Sequence, residues 1–257
     1  MKIDIKKIIT AAEEGSKILK KYFGQTLKIK EKSLPVNIQT TADLKSEEKI
    51  LETLKKNFPE FNILTEEKGL IDKKSEYTFI VDPLDGTNNF ILGIANFSVS
   101  IGLLRQNKIV AGVVENPILD QIYFAKAGQG SFLNNKKIKV NKEKDIKKAI
   151  IGYDCDYGHY LEKYFRELLE KLEKKKVKRV MINMSPALDL CRLATGKIEA
   201  MINNGNEIYD FAAGKLILRE AGGLITDFKG EKETDERKTI FLATNGTDIH
   251  QELLEIL

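Results

Sequence analysis

Apolar side chains recur at three- and four-residue steps from the start of the chain, at Ile5, Ile8, Ile9, Ala12, Leu19, Tyr22 and Phe23. That period predicts an amphipathic helix over residues 4–23, capped by Asp4 and ended by Gly24. Residues 28–41 turn polar, with Ser33, Pro35 and Asn37, and read as a hairpin or a mobile loop. A second helix follows, opened by Asp43 as its N-cap, with Leu44, Leu51, Leu54 and Phe58 along one side and Pro59 closing it. Two short β-prone runs, 61–65 and 77–82, both finish in acid: Glu66 and Glu67 after the first, Asp82 at the end of the second. Pro83 favours extended geometry at Asp82, which predicts that this strand persists to the first carboxylate and stops there.

Strands at 97–105 and 108–115, then 121–125, 130–133 and 137–140, predict an antiparallel meander. The polar run 141–148 marks a boundary. Beyond it, strands at 149–153, 177–183, 198–202, 223–227 and 240–244 alternate with helices at 160–174, 185–195, 210–221 and 248–256. The pattern predicts an α+β half over 1–144 followed by an α/β half over 145–257.

With 257 residues the chain can bury a large core. Its 42 Lys and Arg are interspersed with 38 Asp and Glu and form no long basic stripe, which argues against a dedicated nucleic-acid binder. No run approaches the ~18 apolar residues of a membrane span. The opening MKIDIKKII is too charged for a signal peptide, so the expectation is a soluble, cytoplasmic protein. Cys155 and Cys191 lack zinc spacing and read as free thiols. His159 and His250 lie in polar surroundings without a triad partner and read as solvated surface. The basic residues of 171–178 read as a helix end matched to its dipole.

The acids change the picture. Asp43, Glu66, Glu67, Asp82, Asp85 and Asp210 stand almost entirely at strand ends or helix starts. Taken singly each has a structural account: Asp43 and Asp210 as N-caps, 65–69 as a charged turn, and the Pro-Asp-Gly segment around Asp85 as a solvated turn. Taken together, strand ends carrying carboxylates repel one another unless a cation intervenes. Oxygen donors without His or Cys suit Mg²⁺. Gly86 lets backbone approach an anion, and Thr87 can start a helical turn whose N–H groups face a phosphate. That combination points to phosphate-ester hydrolysis by metal-activated water.

Thr40-Thr41-Ala42-Asp43, Thr65-Glu66-Glu67, Asp82-Pro83-Leu84-Asp85-Gly86-Thr87 with Asn89-Phe90, and Tyr209-Asp210 with Ala212-Ala213-Gly214 together resemble the inositol monophosphatase family of Mg²⁺-dependent, lithium-sensitive phosphatases, in order and spacing over essentially the whole chain. The resemblance implies an alternating α/β/α/β/α layered sandwich of the sugar phosphatase type, found as a homodimer. It implies two or three Mg²⁺ ions: one held by Glu66, Asp82 and the Leu84 carbonyl, a second shared by Asp82, Asp85 and Asp210, and a third near Glu66 and Glu67. Thr87 and Asp43, with Thr40 in support, would orient and deprotonate the attacking water. Asp85, Gly86, Thr87, Asn88, Ser185 and Asn203 would contact the substrate, and Lys32 and Ser33 would belong to a mobile loop over the site.

Three departures bear on substrate. Tyr209 stands where relatives usually have Trp, Met181 to Pro186 replaces Arg-x-x-Gly-Ser-Ala, and Asn203 replaces an acid that contacts the inositol ring. These departures argue against strict myo-inositol specificity; the substrates that the resemblance implies are inositol 1-phosphate first, fructose 1,6-bisphosphate close behind and 3′-phosphoadenosine 5′-phosphate last, since Asn88-Asn89-Phe90 fits the inositol branch better. The alternative from another class is an RNA- or transcription-associated binding protein.

Overall fold

The computed structural model describes residues 3–31, 38–155, 163–233 and 237–257; Lys32, Ser33, His159 and the start of the predicted 160–174 helix lie outside them. The first amphipathic run forms α1 (Ile5–Tyr22), and the Asp4 carboxylate accepts the Lys6 N–H at 3.1 Å. The next polar stretch is a hairpin at its described ends, where β1 (Ile29–Glu31) pairs antiparallel with β2 (Ile38–Thr40). It leads into α2 (Thr41–Asn57). A Cβ on Gly15 of α1 would lie 2.7 Å from the Ile50 side chain, so the missing side chain lets α1 and α2 pack closely.

After β3 (Asn62–Thr65) come β4 (Gly69–Ile71), β5 (Tyr77–Asp85) and the short helix α3 (Thr87–Ile91). The predicted meander then appears as β6 (Ser98–Arg105), β7 (Lys108–Asn116), β8 (Gln121–Lys126), β9 (Ser131–Leu133) and β10 (Lys136–Lys137). These strands form one sheet in the order β10-β9-β8-β7-β6-β5-β3-β4. Within it β3 and β5 run parallel and the other neighbours antiparallel.

The alternating half follows as β11 (Ile150–Cys155), α4 (Lys163–Lys174), β12 (Arg179–Met181), α5 (Pro186–Ala194), β13 (Ala200–Asn204), α6 (Ile208–Glu220), β14 (Leu224–Thr226), β15 (Ile240–Thr244) and α7 (Ile249–Leu254). Its sheet has the order β12-β11-β13-β15-β14. The three strands β12, β11 and β13 are parallel.

Side chains on alternate faces of the strands define the layers. Ile8, Leu19, Ile50 and Leu54 of α1 and α2 pack on Phe79, Val81 and Ile101 of the first sheet. The opposite face of that sheet, through Ile80, Leu104 and Val114, meets Leu190, Leu193, Phe211 and Ile217 of α5 and α6, which also cover Met201 and Phe241 of the second sheet. Phe165, Leu168, Ile249 and Leu253 of α4 and α7 close the far face over Ile151, Tyr153 and Leu242. The fold is the five-layered α/β/α/β/α sandwich. Among the described residues no helix is long and apolar enough to cross a membrane, and neither Cys155 nor Cys191 is in a disulfide.

His250 departs from the expected solvated surface. It is 7% exposed, its ring nitrogens 3.1 Å from Thr226 Oγ1 and 2.9 Å from Thr244 Oγ1. The period of so short a helix as α7 does not reveal which face docks on the sheet, and burial holds the imidazole pKa below its ordinary value.

Candidate metal centre

The first of the two acids on β5 does not end the strand. Asp82 pairs with Ser100 and Asp85 with Ser98, so three residues of β5 advance against two of β6. A strand turns successive side chains to opposite faces, and one extra residue therefore brings Asp85 round to the side of Asp82. Pro83, which has no N–H to donate, fits this bulge instead of stopping the strand. The Leu84 N–H donates to Asp82 Oδ1 at 2.9 Å and Ser46 Oγ donates to the Pro83 carbonyl at 2.9 Å, pinning the bulge from both sides. Asp82 and Asp85 are each 2% exposed.

Asp210 arrives from the second half of the chain. The predicted N-cap role is displaced by three residues: Glu207 is the cap, and Asp210 at the third helical position accepts the Glu207 N–H at 2.8 Å. Asp43 repeats the pattern, with Thr40 as cap and the Asp43 carboxylate accepting the Thr40 N–H at 2.9 Å. Each is the acid of a capping box.

What carries Asp210 across is the run of small residues after it. A Cβ on Gly112 of β7 would lie 2.7 Å from the Ala213 carbonyl oxygen, and one on Gly102 of β6 would lie 3.1 Å from Ala212 Cβ. The start of α6 thus lies directly on the first sheet, and oxygens of Asp82, Asp85 and Asp210 all fall within 4.8 Å of one another. Gly112→Ala should consequently cost about 1–3 kcal/mol in thermal denaturation, because the added methyl meets backbone and not a movable side chain.

The parallel pairing of Thr65 with Val81 places Glu66 beside Asp82, and the Glu66 N–H donates to the Val81 carbonyl at 3.3 Å. Glu66 is half-buried, as is Glu67, which accepts from Gln39 Nε2. Their turn is held by Glu47 of α2, fully buried, whose Oε1 accepts the Lys68 N–H at 3.1 Å. Sequence reasoning passed over Glu47. Its signal was an acid four residues after Asp43, on the buried face of an amphipathic helix.

Burial, then the charges of Glu66 and Asp85, push Asp82 and Asp210 well above the carboxylate range. Burial raises Asp85 to about 7 against hydroxyl donors from Ser185 and Ser98. Among the described residues none of the three makes an ion pair with lysine or arginine. Buried and half-buried like charges with oxygen donors, and with no counter-ion among the described residues, match the demands of a hard divalent cation.

Beside the cluster, Thr87 Oγ1 lies 3.1 Å from Asp43 Oδ1 and 3.0 Å from the Leu84 carbonyl. The Thr40 hydroxyl donates to Asp43 Oδ2. Burial raises Asp43 to about 7, with the Thr40 hydroxyl opposing. Gly86 adopts φ +88°, and a Cβ there would be 2.9 Å from the Asn96 carbonyl, so only glycine fits. Asn88 is half-buried in α3.

Two predicted substrate contacts are otherwise engaged. Ser185 is fully buried and its hydroxyl donates to Asp85 Oδ2. The fully buried Asn203 donates to the Thr239 carbonyl at 2.6 Å and accepts from Asn206 at 2.8 Å. Ser98, which donates to Asp85 at 2.8 Å, was not foreseen; a serine in an otherwise apolar strand was the available signal.

Residues 4–257 match the model of the inositol monophosphatase family. The Nus factor SuhB of Pasteurella multocida is 36% identical over 194 residues, 74% of this chain and 72% of its own. The fructose-1,6-bisphosphatase/inositol-1-monophosphatase of Thermotoga maritima is 31% identical over 92% of this chain and 88% of its own. The crystal structure of extragenic suppressor protein suhB from Bartonella henselae superposes with a TM-score of 0.91 at 33% identity, covering 98% of this chain and 97% of that one.

Proposed function

The chain belongs to the inositol monophosphatase family, and from that premise we propose that it is a Mg²⁺-dependent phosphomonoesterase acting on a small polyol or sugar phosphate, inositol 1-phosphate first and fructose 1,6-bisphosphate second. The observation that carries the proposal is the meeting of Asp82, Asp85 and Asp210 beside the Thr87–Asp43 hydrogen bond. Asp82, Asp85, Asp210, Glu66 and the Leu84 carbonyl would hold Mg²⁺, with Glu67 as a further donor. Bound there, Mg²⁺ supplies charge neutralisation of the phosphate and acidity to a coordinated water.

The chain's own groups do the rest. Thr87 Oγ1 accepts a hydrogen bond from the attacking water and passes its own proton to Asp43, held by Thr40, as it takes the water's proton and the water oxygen joins phosphorus. The ester P–O bond breaks on the opposite side and the departing alkoxide takes a proton from solvent. The N–H groups of Gly86 and Thr87 seat the phosphate, and Asp85 reaches a substrate hydroxyl. Residues 1–144 carry most of the metal donors, residues 145–257 supply Asp210 and part of the substrate pocket, and the active form is a homodimer.

Purified protein with Mg²⁺, assayed on inositol 1-phosphate, fructose 1,6-bisphosphate and 3′-phosphoadenosine 5′-phosphate, should release phosphate with kcat/KM falling in that order. The relative named Nus factor SuhB favours a second reading, a transcription-associated binding protein. Salt-dependent retention on RNA, with no phosphate released from any of the three esters, would put that reading first.

A further inference from the structure

Next to the acid cluster, a second polar network joins the two halves of the chain. Arg192 of α5 donates through Nη1 to Asp189 Oδ1 and through Nη2 to Asn96 Oδ1. Asp189, fully buried, also accepts from Asn183 Nδ2 at 2.8 and 3.0 Å. Asn96 Nδ2 donates to the Asn183 carbonyl at 2.8 Å, and Asn89 Nδ2 donates to the carbonyls of Asn96 at 2.8 Å and Asn183 at 2.7 Å. One guanidinium thereby ties α5 to the segment between α3 and β6.

The geometry converges on Gly86. A Cβ there would lie 2.9 Å from the Asn96 carbonyl and 3.2 Å from the Met184 carbonyl, so the turn rests against two backbone groups that the network holds. Met184 sits at φ +53°, a left-handed conformation that costs a non-glycine residue about 1–2 kcal/mol and has to be imposed by its surroundings. In this chain positions 181 and 184 carry neither the Arg nor the Gly of the family pattern. The cation of this network is Arg192, whose planar fork reaches both acceptors as an ammonium cannot. The Asp154 carboxyl adjoins Asp189 as well, so without Arg192 Asp189 would lose its counter-charge with a second buried acid beside it.

We propose that Arg192, acting with Asp189, is a positioning residue for the phosphatase reaction: it locks Asn96 and Met184 behind the Gly86–Thr87 turn and keeps the turn's N–H groups aimed at the phosphate. The proposal rests on the phosphatase reading above. Its test compares Arg192→Met, Arg192→Lys and the charge-balanced double variant Arg192→Met/Asp189→Asn. The readouts are inorganic phosphate inhibition, kcat and KM with p-nitrophenyl phosphate and Mg²⁺, and Tm with and without Mg²⁺.

Arg192→Met should raise KM and the phosphate inhibition constant by about tenfold to a hundredfold, with the Mg²⁺-induced Tm shift unchanged. Arg192→Lys should not rescue. The double variant should recover Tm but not phosphate affinity. Recovery of both together would show a merely structural role and overturn the proposal, as would phosphate constants within about twofold of the parent in every variant. A parent protein that neither binds phosphate nor hydrolyses p-nitrophenyl phosphate would defeat the phosphatase reading itself, and this inference with it.

Discussion

Asp82→Asn lowers kcat by at least about 10³-fold, and the metal-free variant unfolds at a higher temperature than the metal-free parent. The two halves of this expectation share one cause. Asn retains the acceptor for the Leu84 N–H, which is bound at 2.9 Å, so the bulge keeps its shape. It removes a buried acid whose ionised form is repelled by Glu66, Asp85 and Asp210 and which the metal-free fold must otherwise hold protonated. Relief of that repulsion should stabilise the metal-free fold by about 1–3 kcal/mol. Turnover is lost because a neutral amide is a poor ligand for a hard cation. Phosphate-release assays at saturating Mg²⁺, paired with thermal melts in chelator, check both. A variant that is inactive and also less stable without metal would mean that Asp82 serves folding and not cation binding.

Removing the metal should have the second largest effect, and its sign depends on pH. In the metal-free chain burial raises Asp43 and Asp85 to about 7, and Asp82 and Asp210 are also raised. Groups that hold protons more tightly when folded contribute stability that is complete below the ordinary carboxylate range and is lost as the pH rises through about 7. The metal-free protein should therefore weaken between about pH 5 and about pH 8, where the carboxylates ionise against one another. A divalent cation replaces those protons. At a hundredfold excess over Kd it adds about 2.7 kcal/mol, or about 5–10 °C in Tm for a chain of this size. Differential scanning fluorimetry with Mg²⁺ or chelator across that range should show the gap in Tm opening as the pH rises. A gap independent of pH would separate metal binding from these carboxylates.

Particular residues show how far local pattern reaches. The helix of Ile5 to Tyr22 and the strands of the meander follow from periods of 3.6 and 2, which depend only on near neighbours. Glu66, just past β3, and Asp82, near the end of β5, could be picked out because strand ends are where ligands collect. Cap positions were misjudged by three residues at both Asp43 and Asp210, because the capping box lets Thr40 or Glu207 open the helix while the acid folds back on it. The bulge after Asp82 could not be anticipated either. Pro83 permits a strand end as readily as a bulge, and the choice rests with the partner strand carrying Ser98 and Ser100.

Chain order alone determined the alternation of elements, the identity of the acids and their class of chemistry, since these rest on side-chain type and on interactions within a few residues. Whether the acids meet was decided by tertiary structure. Asp210 reaches Asp82 because Gly102 and Gly112 offer no side chain to hold Ala212 and Ala213 away from the sheet. Such contacts join positions about a hundred residues apart, and no local period encodes them.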